Sequence, residues 1–177
     1  MINFKLSTST MLKFDRDLKE KVKSYRQDVQ DTVNKVAVDI HRDAIGNIDR
    51  NKTVDTGILR SKTRIEFANP EIDQPNANVH SLSDYAPFVE FGTKKQVKVP
   101  AELKDYALQF KGSKKGSFSE LMKKIERWAY RKGLPKEAVF PIALKIARDG
   151  TSAKPFLYPA FVMNKKKLEK LLKKIKL

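Results

Sequence analysis

The sequence predicts an α+β protein. Three observations carry that expectation: a run from Asp15 to Ile48 whose apolar residues recur every three or four positions, two stretches that alternate apolar and polar residues around turn-forming ones, and a second helical stripe at the end of the chain. The 177 residues fit one domain carrying an insertion, and 40% hydrophobic residues are enough for a core.

Taken in order, Ile2, Phe4 and Leu6 alternate with Asn3, Lys5 and Ser7, the period of a half-buried strand. Leu18, Val22, Tyr25, Val29, Val33, Val36, Ile40 and Ala44 then make one long amphipathic helix, which Gly46 and Asn47 are placed to end. Its opposite face is dense in Lys, Arg, Asp and Gln, as expected of a helix lying over a sheet with one side in water. From Asp55 a turn leads into a strand marked by Thr63, Ile65 and Phe67, and Asn69-Pro70 and the region from Asp73 to Asn78 carry the turn-forming residues of a hairpin. Val79, Ser81 and Ser83 share one parity and suit the returning strand.

Residues 94–153 read as a helical insertion. Val97 to Pro100 leads to a polar helix from Ala101 to Phe110, then to the basic loop Lys111 to Gly116. Ser117 or Ser119 caps a helix bearing Leu121, Ile125, Trp128 and Ala129, which Gly133-Leu134-Pro135 stops. Lys136 to Arg148 completes a helical hairpin, with Val139, Ile142, Ala143 and Ile146 on one side. A basic C-terminal helix over 159–177 opens at Pro159, where a first-turn proline is tolerated.

Cysteine is absent, which excludes disulfides, thiolate metal sites and thiol nucleophiles. No run is apolar enough to span a bilayer and the start lacks a secretory core, so the expected setting is a cytoplasm or a particle assembled there. The formal charge of +16 points to polyanions or acidic protein surfaces as neighbours. Much of the excess lies at the end, where Lys165, Lys166, Lys167, Lys170, Lys173, Lys174 and Lys176 face only Glu169.

Asp55-Thr56-Gly57 combines side-chain oxygens that accept from amides two or three residues on with a glycine that tolerates positive φ, the chemistry of a capped turn. An aspartic-protease reading of that triplet needs a second paired carboxylate, and no second copy of the motif is present. Glu90 sits alone among Tyr85, Phe88, Val89 and Phe91, before Gly92. A general acid is one reading; a carboxylate that pairs with a basic residue or caps a backbone segment is the favoured one, with Arg60 as candidate partner. Pro155-Phe156-Leu157-Tyr158-Pro159 is a stiff connector that delivers its aromatics in a fixed direction.

His41 and His80 lack metal-ligand spacing, no nucleophile elbow is present, and the glycines of the loop from Gly112 to Ser117 are too close for a phosphate-binding Walker loop. Lys123, Lys124, Arg127, Arg131 and Lys132 interleave with Trp128 and Tyr130, a mixture able to hold phosphates and stack bases. Packing of Trp128, with the cations on a wet face, is the plainer reading. No cofactor or metal is expected.

Three stretches in fixed order resemble the signature of a family of small bacteriophage neck proteins, the head–tail joining or tail-completion proteins. Val54, Asp55, Thr56, Gly57, Leu59, Arg60 and Ser61 match its first motif. Tyr85, Ala86, Val89, Glu90, Gly92 and Thr93 match the second, and Pro155, Phe156, Leu157, Pro159 and Ala160 the third. The resemblance covers about residues 1 to 93 and 153 to 177. It implies helices packed on a small, mainly antiparallel sheet in a non-enzymatic virion protein of the neck or tail, assembled in a bacterial cytoplasm. The implied partners are further copies of itself in a ring, neighbouring connector and tail-tube or tail-terminator proteins, and packaged DNA touched non-specifically, with no membrane. The insertion departs from the shortest family members. The charge alone supports a rival expectation, a DNA- or RNA-binding accessory protein.

Overall fold

A computed structural model describes residues 8–68, 74–93, 99–110 and 117–176. The strand expected at Ile2 to Leu6, the turn at Asn69-Pro70, the lead-in at Val97 and Lys98, and the loop from Lys111 to Gly116 lie outside the described residues. The architecture is α+β: long helices near both ends of the chain and a small antiparallel hairpin. The chain divides into two compact units, one comprising residues 1–40, 65–79 and 161–177, the other residues 41–64 and 80–160.

Helix α1 runs Thr8–Arg50, longer at both ends than the apolar period suggested. Gly46 does not end it, because Ala44 and Ile48 on either side are both fully buried and their burial outweighs the glycine's propensity cost of about 1 kcal/mol. The helix stops instead at Lys52, whose φ of 51° is left-handed. The Thr53 amide reaches back to the Ile48 carbonyl and the Lys52 amide to that of Asp49, satisfying carbonyls the helix leaves open.

A short helix α2, Ile58–Lys62, intervenes where the sequence suggested a direct passage from turn to strand. It follows Gly57, at φ 77°, and buries Leu59. Strand β1, Thr63–Phe67, pairs with β2, Ala77–Ser81. Bonds from the Ala68 amide to the Asn76 carbonyl and from Leu82 to Lys62 bracket the hairpin, which sets Ile65 opposite Val79.

Within the first unit, Gln30 is 1% exposed yet polar. Its amide acts as one more strand residue: Nε2 donates to the Asn76 carbonyl at 3.0 Å and Oε1 accepts from the Asn76 amide at 3.2 Å, while Nε2 also donates to Asn34 Oδ1 at 2.6 Å. A buried polar group carries little penalty when its bonds are made in this way. Val36 and Ala37 are buried beside it in sequence, and Lys167 pairs with the buried Asp39.

In the second unit, helix α3 spans Ala86–Phe91. The expected helix at Ala101 is a 3-10 turn, Ala101–Leu103, continuing into α4, Lys104–Leu108. Phe88 and Phe91 meet Tyr106 and Phe110 in a four-ring cluster with centroids 5.2 to 6.2 Å apart, which anchors the start of the insertion on α3. Helices α5, Phe118–Arg131, and α6, Val139–Asp149, form the hairpin. Ser117 and Glu120 close a reciprocal capping box at the head of α5. At its tail Gly133, at φ 66°, lets Leu134 bond back to Ala129 and Gly133 to Tyr130 before Pro135 ends the turn. Buried Ala129, Val139 and Ala143 sit where small side chains let helices approach, and Phe118 meets Phe140 edge-on at 6.1 Å. Helix α7 is Leu157–Leu172, beginning two residues before the proline expected to open it and ending five short of the chain end.

Candidate functional site

The second and third motifs form one bonded frame in the second unit. Glu90, 8% exposed on α3, directs its carboxylate at the head of α7. Oε2 accepts from the amides of Phe156 at 2.8 Å and Leu157 at 3.0 Å, and Oε1 from that of Tyr158 at 2.9 Å. A helix start leaves four amides without internal partners. Glu90 takes three, and Pro159 in the fourth position has no N–H to satisfy. The negative carboxylate also lies at the positive end of the helix dipole. Glu90 therefore caps a backbone segment and does not pair with Arg60, whose guanidinium lies 3.7 Å from Asp49.

The carbonyls of the same connector are held from the end of α1. Asn47 Nδ2 donates to the Phe156 carbonyl at 2.8 Å and Asn51 Nδ2 to that of Pro155 at 2.9 Å. Lys154 bonds twice, its amide to the Val89 carbonyl at 2.8 Å and its Nζ to the Asn51 carbonyl at 3.1 Å. With its polar backbone matched, the Phe156 ring is 1% exposed. Phe156 and Ala160 are buried, Leu157 is half-buried, and Pro155 and Pro159 face outward. Tyr158 donates its hydroxyl to Glu102 at 2.8 Å, which raises the Tyr158 pKa above its ordinary value.

Gly92 is required by space as well as conformation. Its φ is 63°, and a Cβ there would lie 2.5 Å from the Ala153 nitrogen and 2.6 Å from the Thr151 carbonyl oxygen. The close approach allows the Thr93 amide to donate to the Thr151 carbonyl at 3.0 Å and the Thr151 amide to Thr93 Oγ1 at 2.8 Å. The two ends of the insertion are thereby fastened together at their base.

The first motif is tied to the insertion. Asp55 does not cap the turn: its carboxylate receives a two-bond contact from Arg131 at the end of α5, with Nε at 3.1 Å, and Lys132 Nζ donates to the Val54 carbonyl at 3.3 Å. The Arg131 hydrogen bond holds the Asp55 carboxyl below the usual carboxylate range against an opposing contribution from burial. Thr56 is exposed and Gly57 gives α2 no side-chain cap. Thr63 Oγ1 donates to the Leu59 carbonyl at 2.7 Å, and His41 Nε2 lies 2.9 Å from the Thr63 carbonyl oxygen, so that nitrogen carries the proton.

Of the cations expected to meet a polyanion, Arg131 is committed to Asp55, whereas Lys123, Lys124 and Arg127 are exposed on α5. Tyr130 on that helix is 87% exposed, three positions beyond Arg127 and seven beyond Lys123. Lys165, Lys166 and Lys170 are exposed on α7, and Lys173 and Lys174 follow its last turn. The residues of the α7 group belong to the other unit. Among the described residues, no group of three or more His, Asp or Glu is placed to hold a metal ion, and no helix is long and apolar enough to cross a membrane.

Asn47 and Asn51 are the site residues that sequence reasoning passed over. Their spacing of four was visible, but nothing local connects them to a segment more than a hundred residues away. In comparisons with known proteins, no family model matches the chain, and neither does any curated protein or solved structure.

Proposed function

We propose that this chain is a non-enzymatic structural subunit of a phage or prophage neck, acting at the head–tail junction by assembling as a ring and docking to adjacent head or tail proteins. The observation that carries the reading is the capping of the third motif by the second. Glu90 spends both oxygens on the backbone of Phe156 to Tyr158. Asp55, the acid of the first motif, is taken by Arg131. Residues that carry the family resemblance thus hold a frame, and neither acid is left open for proton transfer. A rigid frame with long helices suits a subunit whose work is adhesion.

The test is a phage or prophage stock made without this chain. Unjoined heads and tails in negative-stain images, rescued by the wild-type chain in trans, are the expected result; normal tailed particles would refute the assignment. A second reading, a DNA- or RNA-binding accessory protein, is favoured by one feature, the exposed Tyr130 beside Lys123 and Arg127. It expects affinity for single strands that falls steeply with salt and is lost in Tyr130→Ala.

A further inference from the structure

We propose that the lysine face of α7 and the turn that follows it is a binding surface for double-stranded nucleic acid, held through its phosphates and not through its bases. Lys165, Lys166, Lys170, Lys173, Lys174 and Lys176 are all exposed. Among the described residues none of the six side chains makes a hydrogen bond or an ion pair; the paired lysine of the stretch is Lys167, bonded to Asp39. Glu169 is the sole acid there, so six exposed lysines against one carboxylate leave an excess of five.

The helix turns those charges to one side. At 3.6 residues per turn, positions 165, 166, 170, 173 and 174 share a face opposite Asn164, Leu168 and Leu171. Asn164 is buried and Leu168, Leu171 and Leu172 are half-buried, so the lysine side is the one left in water. The bond from Lys167, at the border of the two sides, to the buried Asp39 fixes that rotation.

The make-up of the face selects the occupant. All six cations are lysines, and lysine is depleted in protein–protein interfaces, where arginine and aromatic residues are enriched. A carboxylate surface is best gripped two bonds at a time by arginine, whereas lysine is a mobile point charge that meets a phosphate from many directions. An acidic protein is therefore the poorer fit. The exposed Val162 and Met163 precede the face, and from Lys165 onward it carries no aromatic ring to stack on an unpaired base. A bilayer fits poorly too, because the leucines that a membrane-surface helix would bury in lipid are half-buried in the fold. Duplex DNA offers one charge per about 1.7 Å of axis, so several of these lysines can each meet a phosphate and release its counterion. These features of α7 hold whether or not the chain acts at a phage neck.

The test uses the full chain and a short labelled DNA duplex in fluorescence anisotropy, with salt varied between about 50 and 200 mM. Saturable binding is expected, alike for two duplexes of unrelated sequence and steeply weakened by salt. Lys166→Gln, Lys170→Gln and Lys173→Gln together should weaken it at least roughly tenfold and flatten the log–log salt slope by about 2 to 3, close to one per lysine removed. The same change at Lys13, Lys21 and Lys23, exposed on α1, separates the face from the overall charge of +16 and should leave binding nearly unchanged. Arginine at the three α7 positions should restore binding, and an unchanged unfolding midpoint shows that the glutamine variant is folded. Tyr130→Ala should leave duplex affinity unchanged. No binding at the lowest salt, equal losses in the α1 and α7 variants, or a loss in Tyr130→Ala as large as that in the α7 variant would overturn the proposal. So would tighter binding of polyglutamate, or of phosphatidylserine vesicles, than of duplex, if the α7 variant abolishes it.

Discussion

The connector from Lys154 to Tyr158 and the first turns of α1 are both rich in apolar side chains, and they behave in opposite ways. In the connector the carbonyls of Pro155 and Phe156 and the amides from Lys154 to Tyr158, Pro155 having none, are met by partners from α3 and the end of α1, and the Phe156 ring is sealed. Past its first turn α1 bonds its own backbone, so Phe14 and Leu18 can stay in water without orphaned polar groups. The difference teaches that apolar content alone did not decide burial. An irregular segment is buried only where others supply its hydrogen bonds, whereas a helix can be left exposed with its stripe uncovered.

Breaking the connector's bonds should give the largest effect. Glu90→Ala strands three amides at a buried helix start, with an expected loss of about 3–5 kcal/mol in urea unfolding followed by the single Trp128. Glu90→Gln keeps one acceptor oxygen and should lose less, and its effect should add to that of Arg60→Gln because the two residues do not touch. Equal losses in the Ala and Gln variants would count against the capping role. Gly92→Ala follows, at about 2–4 kcal/mol, since it combines a left-handed φ with overlap against the backbone of Thr151 and Ala153. A Gly92→Ala protein that unfolds like wild type would mean that this approach is not close in solution.

A smaller effect is expected at Asp55, and it is tied to pH. Its folded-state pKa is lowered, so the contact with Arg131 contributes fully above the unfolded carboxyl value of about 3.9 and is lost as pH falls through the lower folded value. Asp55→Asn should remove that acid-side dependence and leave the profile near neutrality flat; an unchanged acid limb would show that other carboxylates govern it. The smallest effect belongs to the bare half of α1. Leu18→Ser should shift stability by no more than about 0.5 kcal/mol, and a loss several times larger would place that residue in a core.

Much of the fold was legible from residue order. The helical period of Leu18 to Ala44, the hairpin parity of Ile65 and Val79, a serine cap at Ser117 or Ser119, which the structure places at Ser117, and the Gly133 stop all act within a few residues, so local physics exposes them. The helix end at Lys52 was missed because Gly46 carries the stronger local signal, and only the burial of Ala44 and Ile48 overrides it. The turn chemistry of Asp55 was misread because its partner, Arg131, is separated from it by most of the insertion.

The sequence by itself determined which residues are special: a lone acid before a glycine, a proline-bracketed aromatic connector, and a long amphipathic helix. Tertiary structure alone decided what each does. A carboxylate can serve any donor that comes within reach, and which donors reach Glu90 depends on the chain returning after more than sixty residues to place three amides there. An apolar stripe likewise states that a face prefers cover, but where cover is present, over Val36 and not over Leu18, is a property of the folded chain.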